Sequence, residues 1–589
     1  MLAPVALAMT LLAASQFAPD SACAPCHAEI SRSYQHVGMA RAFFRPAKGR
    51  VIEELGKEFV HAPSKQIFSM VWRDGRLIFR RYQNDPDGKP INLLEQPVDF
   101  ILGSGHHARV YVYRTPDGEL YQLPIAWYSQ TRSWGMAPGY DRPDHDGVQR
   151  RVRHECMFCH NGYPDVAESH DGFWRPQTFP KELPEGTGCQ RCHGPGAAHA
   201  RDPKVAIINP MRLTTERRND VCNQCHLLPA VAVQGARKLG RDIYSFRPGD
   251  ALSDYQLTTD IAPKDRFEIS QHAYRLQQSR CFRESKQQFG CLDCHDPHQR
   301  LPPDERAAHY QRVCLGCHEK AHHATTDCVS CHMQKRRTED VVHVVMTDHR
   351  IGLPAESAKL VAPREEKEDP EIEHVELYGS PLQGADAELY RLLPLMRAGR
   401  DRDPQFVARF EQALAAAKPR ELEPLFDLAN AQATLRQWAK LEATCKAILE
   451  REPSQPLALG WLGLAAGGLG RDDDAVAFLR RALAIAPERA GLHVQLALAL
   501  HRKGKDDDAI AALERATALR PNLAAAWLTL GELHALHGDQ GRAVFALRRT
   551  LAIDPANSRA YADLGRALVA LGDEEGARRL QRHAMNVAK

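Results

Sequence analysis

CLDCHDPHQRLPPDERAAHYQRVCLGCHEKAHHATTDCVSCH, residues 291–332, holds three copies of Cys-x-x-Cys-His within one short stretch. Four further copies precede it, so the chain carries seven: Cys23/Cys26/His27, Cys156/Cys159/His160, Cys189/Cys192/His193, Cys222/Cys225/His226, Cys291/Cys294/His295, Cys314/Cys317/His318 and Cys328/Cys331/His332. Two thiols three positions apart reach the two vinyl groups of one haem, and the next residue delivers an imidazole to its iron. Zinc knuckles would share paired elements between ions and have no use for a histidine after every second cysteine, and disulfides would ignore the histidine altogether. The expected cofactor is therefore haem c, seven covalent groups with iron, bound by those 14 cysteines and by the seven proximal histidines. Covalent attachment of this kind belongs outside the cytoplasm, so a periplasmic or otherwise exported location is expected.

Composition fits a chain of several packed units. Of 589 residues, 43% are hydrophobic and 26% charged, which excludes a disordered chain or a fibre. Lys and Arg number 77 against 74 Asp and Glu, so no global field recruits nucleic acid or an anionic membrane. Residues 2–14, LAPVALAMTLLAA, followed by small residues, predict a signal peptide over 1–15, although no basic residue precedes the apolar run. No later segment approaches 18 apolar residues, so no integral membrane span is expected.

The motifs begin at 23, 156, 189, 222, 291, 314 and 328. Six of the seven are dense enough that porphyrins, linked by short helices and turns, are expected to supply much of the apolar interior. The long first gap differs. Residues 67–82 alternate apolar and polar around Asp74-Gly75, and 100–127 do so around Pro116-Asp117-Gly118, which predicts a β-rich insertion over about 50–145. Its tips and following loop carry His106, His107, Arg109, Tyr111, Tyr128, Trp134, Tyr140, Arg142 and His145, a set expected to be largely structural.

Beyond residue 350 the composition changes. REEKEDPEIE, 364–373, reads as part of a charged linker over 351–384. From 385 to 589 the chain is a repeat array: Pro419, Pro453, Pro487, Pro521 and Pro555 are spaced by 34, as are Gly470, Gly504, Gly538 and Gly572, and Ala475, Ala509, Ala543 and Ala577. That is the tetratricopeptide period. The unit with Trp527, Leu530, Gly531, Gly538, Ala543 and Pro555 shows the pattern well, the unit at 422–455 has Arg436 in place of the glycine, and a helix pair before residue 420 is expected to cap the array. Cys445 aligns with Leu479, Leu513 and Leu547 and is expected in the core. Cys281 is read as a buried thiol, with a thiolate ligand or a redox-active thiol as the alternative. The fold class expected is mainly α: a haem-packed multihaem cytochrome c domain over 16–350 with a β-rich insertion, then a tetratricopeptide α-solenoid whose groove takes a protein or peptide partner.

The chain resembles bacterial multihaem cytochromes c with a C-terminal tetratricopeptide array. Its haem half resembles the superfamily containing ammonia-oxidiser tetrahaem cytochromes, pentahaem nitrite reductases and hydroxylamine oxidoreductase, on the strength of CQRCHGPGAAH at 189–199, CLDCHDPH at 291–298 and CVSCHMQKRRTEDVVHVVMTDH at 328–349. The resemblance implies that His199 and His298 are distal iron ligands, with His343 and His349 of the same kind. Residues 1–350 hold 22 histidines, 15 beyond the proximal seven, enough for a second imidazole on every iron; His61, His107, His145 and His272 complete the candidates. Met39 offers one haem a Met/His pair instead. All seven motifs end in His, unlike the lysine-ended catalytic motif of pentahaem nitrite reductases. An electron carrier serving redox partner proteins is the leading expectation. The alternative is an oxidoreductase of a small nitrogen or sulfur compound at a five-coordinate haem flanked by His107, Arg109, Tyr111 or His145.

Overall fold

The computed structural model describes residues 16–162, 174–230, 237–263, 265–318, 327–367 and 372–587, so the expected leader at 1–15 lies outside the described residues. The architecture is mixed rather than mainly α: a β-rich region first, a helical array last.

Two antiparallel sheets form the β-rich region. One is a meander of Phe59–His61, Gln66–Arg73, Arg76–Asn84 and Pro90–Pro97. Its central hairpin turns on Asp74 and Gly75, both at positive φ (49° and 76°), which is the two-residue turn that matches the right-handed twist of the flanking strands. The other sheet orders Phe43–Phe44, Phe100–Leu102, Ala108–Arg114, Leu120–Tyr128 and Arg150–Val152, with Ser133–Met136 also paired to Leu120–Tyr128. Between the sheets Phe68, Phe79, Tyr111, Trp127 and Tyr140 are fully buried. The linker is partly built into the fold: Ser357–Val361 is helical, and Glu376–Tyr378 pairs with Thr258–Asp260.

Gly384–Arg397 and Pro404–Ala417 cap an array of five helix pairs, running from Glu423–Thr434 to Glu574–Val587. Small residues sit where paired helices cross: a Cβ on Gly531 would lie 2.7 Å from Leu547 Cγ. The turn within each pair needs a left-handed residue, met by Gly470, Gly504, Gly538 and Gly572 at φ 70–80° and, in the degenerate first pair, by Arg436 at φ 55°. Cys445 is fully buried alongside Leu441 and Ile448.

The array is docked on the rest of the chain along one edge, the end of each second helix and the turn after it. Arg520 ion-pairs with Asp117 at 2.8 Å and Glu119 at 2.6 Å, and Asn522 donates to the Tyr113 hydroxyl at 2.7 Å. One repeat further on, buried Arg81 donates to the carbonyls of Ala552 and Ile553, a cation on the negative end of a helix. Towards the other end, Arg175 meets Glu452 at 3.6 Å, and Trp174 donates to Asp427, itself held by Arg397. Ala524 and Ile553 belong to the same apolar core as the two sheets, so the interface continues that core.

Candidate haem-binding site

Each attachment motif lies on a helical turn. Cys156/Cys159/His160 fills the end of His154–His160, Cys222/Cys225/His226 the end of Thr215–His226, and Cys328/Cys331/His332 makes up Cys328–His332. In four others the histidine amide donates to the carbonyl of the first cysteine: His27 to Cys23 at 3.1 Å, His193 to Cys189 at 3.1 Å, His295 to Cys291 at 2.9 Å and His318 to Cys314 at 3.0 Å. One turn of helix puts residues i, i+3 and i+4 on one face, so both thiols and the imidazole point the same way.

The motifs also adjoin one another. The sulfurs of Cys23 and Cys189, Cys159 and Cys225, Cys222 and Cys291, and Cys314 and Cys328 are within hydrogen-bonding reach. Cys192 acts electrostatically on Cys225 and Cys294 on Cys314, which joins all seven motifs into one connected group. Cys281 lies among the sulfurs of the fifth and sixth motifs, near Cys294, Cys314 and Cys317.

The attachment cysteines differ in depth. Cys26, Cys156 and Cys317 are exposed, and half-buried Cys331 accepts from the Ser330 hydroxyl at 3.9 Å. For Cys26 and Cys331 the reason is where their turns lie. Cys26 falls between Asp20–Ala22 and Ala28–Tyr34, short helices near the start of the described residues, and Cys331 is on Cys328–His332; none of the three buries a side chain. At Cys26 and Cys331 the polypeptide therefore provides a sulfur at the rim of the group, without apolar walls of its own.

An imidazole must be neutral to bind iron, and burial enforces this. It pushes His160 and His349 down to about 4, His272 well below the usual histidine value, and His193, His226 and His295 downward. Backbone carbonyls set the tautomer: Nδ1–H donates to Ile208 O from His193 at 2.8 Å, to Gly352 O from His332 at 2.9 Å and to Val205 O from His199 at 2.7 Å, leaving Nε2 with its lone pair. The rings of His193 and His298 are 6.0 Å apart and 18° from parallel, and those of His295 and His349 are 6.2 Å apart. Two imidazoles on opposite sides of one metal, each nitrogen about 2 Å from it, have centroids about 6 Å apart. His272 bridges the two proximal rings' neighbourhoods, 5.2 Å from His226 and 4.7 Å from His349. Nδ1 of His107, His160 and His272 and Nε2 of His106 are buried without a hydrogen-bond partner, as expected of groups whose ligand the polypeptide does not supply. The donor set fits covalent haem.

Other sequence candidates fall elsewhere. His61 has both ring nitrogens engaged, Nδ1 with Ser64 Oγ at 2.7 Å and Nε2 with Asp141 at 3.0 Å, so it offers no lone pair to iron. His145 packs against His61, Phe68 and Tyr140, and its Nδ1 accepts from the Gly147 amide, which puts the ring proton on Nε2. Among the described residues, no hydrogen bond or ring contact joins either to a motif. His343 packs against Tyr128, ring centroids 4.6 Å apart and the planes 56° from parallel. Met39 sits half-buried in a single turn whose carbonyl accepts from the Thr187 amide. Arg109 and Tyr111 are both bound by buried Glu53, at 3.1 and 2.9 Å, which makes them parts of the core and not substrate ligands. His106, on the tip with His107, is a half-buried imidazole with a buried Nε2 that the ligand pattern overlooked; its signal is the His-His pair after Gly103-Ser104-Gly105.

Comparison with known proteins matches residues 284–323 to the doubled CXXCH motif, 457–489 to the tetratricopeptide repeat and 498–538 to a TPR repeat. No curated protein matches. Among solved structures, a MamA crystal structure is 25% identical over 27% of this chain and 94% of its own, with a TM-score of 0.26. A thermophilic TPR protein of Thermus thermophilus is 24% identical over 32% of this chain and 100% of its own, with a TM-score of 0.28. Scores of that size carry no structural argument, so the assignment rests on the motif matches. They define a c-type cytochrome: a chain that binds haem c covalently through CXXCH motifs and carries a C-terminal array of a repeat type that binds proteins. Proteins of this class are generally extracytoplasmic, and among the described residues no helix is long and apolar enough to cross a membrane.

Proposed function

We propose that the protein is an extracytoplasmic electron carrier with one haem at each of its seven motifs, and that its repeat array docks a redox partner protein. The observation that carries this reading is the approach of a second imidazole to a proximal one, with the near-parallel His193–His298 pair, 6.0 Å apart, as the clearest case. We assign His298 as the partner of His193, His349 of His295 and His272 of His226, and keep His107, His199 and His343 as the remaining second ligands. Cys26 and Cys331 stay assigned as attachment sites, each at a solvent-facing edge of its haem. Bound haem supplies a one-electron couple. The polypeptide's part is to fix ring orientation through Nδ1–H···O=C bonds at His193, His332 and His199 and to keep water from the rings it covers. Met39 is kept for the seventh haem, and with these seven second ligands bound no iron would be open to substrate. The oxidoreductase alternative loses Arg109 and Tyr111 to Glu53, and with Arg109 the one arginine it relied on to hold an anion. The reading includes export of the chain, removal of 1–15, a haem domain over 16–350, a linker over 351–384, an array over 385–589 and kinship with the superfamily named above.

Intact mass and the pyridine haemochrome count the haems, and low-temperature electron paramagnetic resonance of the oxidised holoprotein reports their ligation. Seven haems, all low-spin, are expected. A stoichiometric high-spin signal that shifts with nitrite or hydroxylamine would overturn the carrier reading in favour of catalysis, and fewer than seven haems would overturn the stoichiometry.

A further inference from the structure

One buried ion pair joins two segments that carry second ligands assigned above to different motifs. His272 opens the short helix His272–Gln277, and Arg275 stands three residues further along it, on the same side. Asp348 directly precedes His349, just beyond the strand Val345–Thr347. The Arg275 guanidinium meets the Asp348 carboxylate with two nitrogens, Nε to Oδ1 at 2.9 Å and Nη2 to Oδ2 at 2.6 Å, and the two side chains are 2% and 12% exposed. Its Nη1 donates to Asp265 at 3.0 Å and to Gln278 at 3.3 Å, while Asp348 Oδ1 also accepts from the Arg350 amide at 2.9 Å. A second tie lies beside the first: the Ser279 hydroxyl donates to the His349 carbonyl at 3.5 Å and accepts from the Ile351 amide at 2.8 Å. The rings of His272 and His349 are 4.7 Å apart, with His226 5.2 Å from the first and His295 6.2 Å from the second.

A fork-to-carboxylate pair fixes direction as well as distance, because two parallel hydrogen bonds share one plane. Neither segment has much regular structure to hold it: His272–Gln277 spans six residues, and among the described residues Val345–Thr347 pairs only with Lys335–Arg337. We propose that Arg275 is a positioning residue for two haem sites at once: through Asp348 it locks the helix bearing His272 to the segment bearing His349, so that these two imidazoles keep or lose their place on iron together. This rests on the assignment of His272 and His349 as second ligands at the fourth and fifth motifs. Arg275 acts through Asp348 and is not itself a ligand.

The test uses holoprotein throughout. His272→Ala and His349→Ala first identify two low-spin paramagnetic signals, each by its conversion to high-spin, and His298→Ala identifies a third that serves as the control. Arg275→Gln removes charge and fork while leaving Asp348 the Arg350 amide and Arg336 at 3.9 Å. Asp348→Asn removes the charge from the other side while leaving Arg275 its bonds to Asp265 and Gln278, and serves should the glutamine variant fail to fold. Expected in either variant are displaced g values for the first two signals, an unaltered third, and cyanide binding at two haems at least about tenfold tighter than in wild type, because an imidazole freed from its anchor gives way more readily. The double variant should do no more than either single one, since both remove the same pair. Arg275→Lys, which keeps the charge and loses the fork, falls between wild type and Arg275→Gln. Unaltered signals and cyanide affinity in both single variants, even with a lowered urea midpoint, would make the pair merely structural and overturn the proposal; so would displacement of one signal of the two, or of all signals alike. If His272→Ala or His349→Ala leaves every low-spin signal in place, the ligand assignment itself falls and the proposal with it, an outcome distinct from intact ligation with an idle Arg275.

Discussion

Arg520→Ala should loosen the array from the β-rich region. Arg520 stands at the end of Asp506–Leu519 and binds Asp117 and Glu119, carboxylates that come from the 115–119 turn some 403 positions earlier in the chain. Their side chains are 3% and 6% exposed, so truncation leaves buried negative charge without its cation. Arg151, 3.0 Å from Glu119, still covers that residue, and the Thr115 hydroxyl still donates to Asp117 at 2.5 Å. The cost therefore falls at the lower end of the range for breaking a buried pair, about 3 kcal/mol, or roughly two powers of ten in the docking equilibrium. Hydrogen exchange in the holoprotein reads that equilibrium at the Asp117 amide, which donates to the Leu519 carbonyl across the interface. A double-mutant cycle with Asp117→Asn, followed by urea unfolding, isolates the pair and should return a coupling of about 2 kcal/mol. A loss below about 1 kcal/mol for Arg520→Ala, together with a coupling near zero, would refute the claim that this ion pair holds the array in place.

Three further outcomes are expected. Gly531→Ala drives a methyl into Leu547, at 2.7 Å from its Cγ, and should cost about 1–3 kcal/mol, seen as a lower thermal midpoint in far-ultraviolet circular dichroism. His298→Ala should leave the haem count unchanged and convert one low-spin paramagnetic signal into a high-spin one; an unaltered spectrum would remove His298 from the ligand set. Burial, reinforced by His61 and Arg81, holds His145 down to about 4, so the unfolded chain takes up this proton first as pH falls. Its contribution to stability is therefore full above about pH 6.5 and declines towards pH 4, by about 3 kcal/mol at most, and His145→Phe should flatten that part of the urea-midpoint profile relative to wild type.

Much of this molecule is legible along the chain because its determinants are local. Cys-x-x-Cys-His needs only one helical turn to aim two sulfurs and an imidazole at one face, and all seven copies have that turn or sit within a helix. The 34-residue recurrence of glycine, alanine and proline declares the array, since each turn needs a left-handed residue and each helix crossing needs a small one. The Asp74-Gly75 hairpin follows from the same local logic. Arg436 marks the limit of such patterns: it breaks the glycine recurrence, yet its backbone takes the same left-handed conformation because the helices on either side require it.

Candidate second iron ligands are not legible in that way. A histidine's type says nothing of where the chain returns, and the fold brings His298 to His193 and His272 to His226 while giving His61 to Ser64 and Asp141. Nor does a motif say how deeply it lies: Cys26, Cys156 and Cys317 match the other attachment cysteines letter for letter, yet they are exposed while half-buried Cys159 and Cys225 meet each other. Composition also hid the fate of Arg109 and Tyr111, which are attractive beside a substrate yet consumed by Glu53. The docking of the array is likewise a tertiary fact: Arg520 and Asp117, or Arg81 and Ala552, meet only when two independently patterned halves pack edge to face. Sequence by itself therefore determined the class of cofactor, the motif that takes it and the repeat architecture, each encoded within a few residues or a fixed period. Only the tertiary structure decided which imidazoles converge and which charges are neutralised, because burial and Coulomb pairing act between residues that are neighbours in space and strangers in the chain.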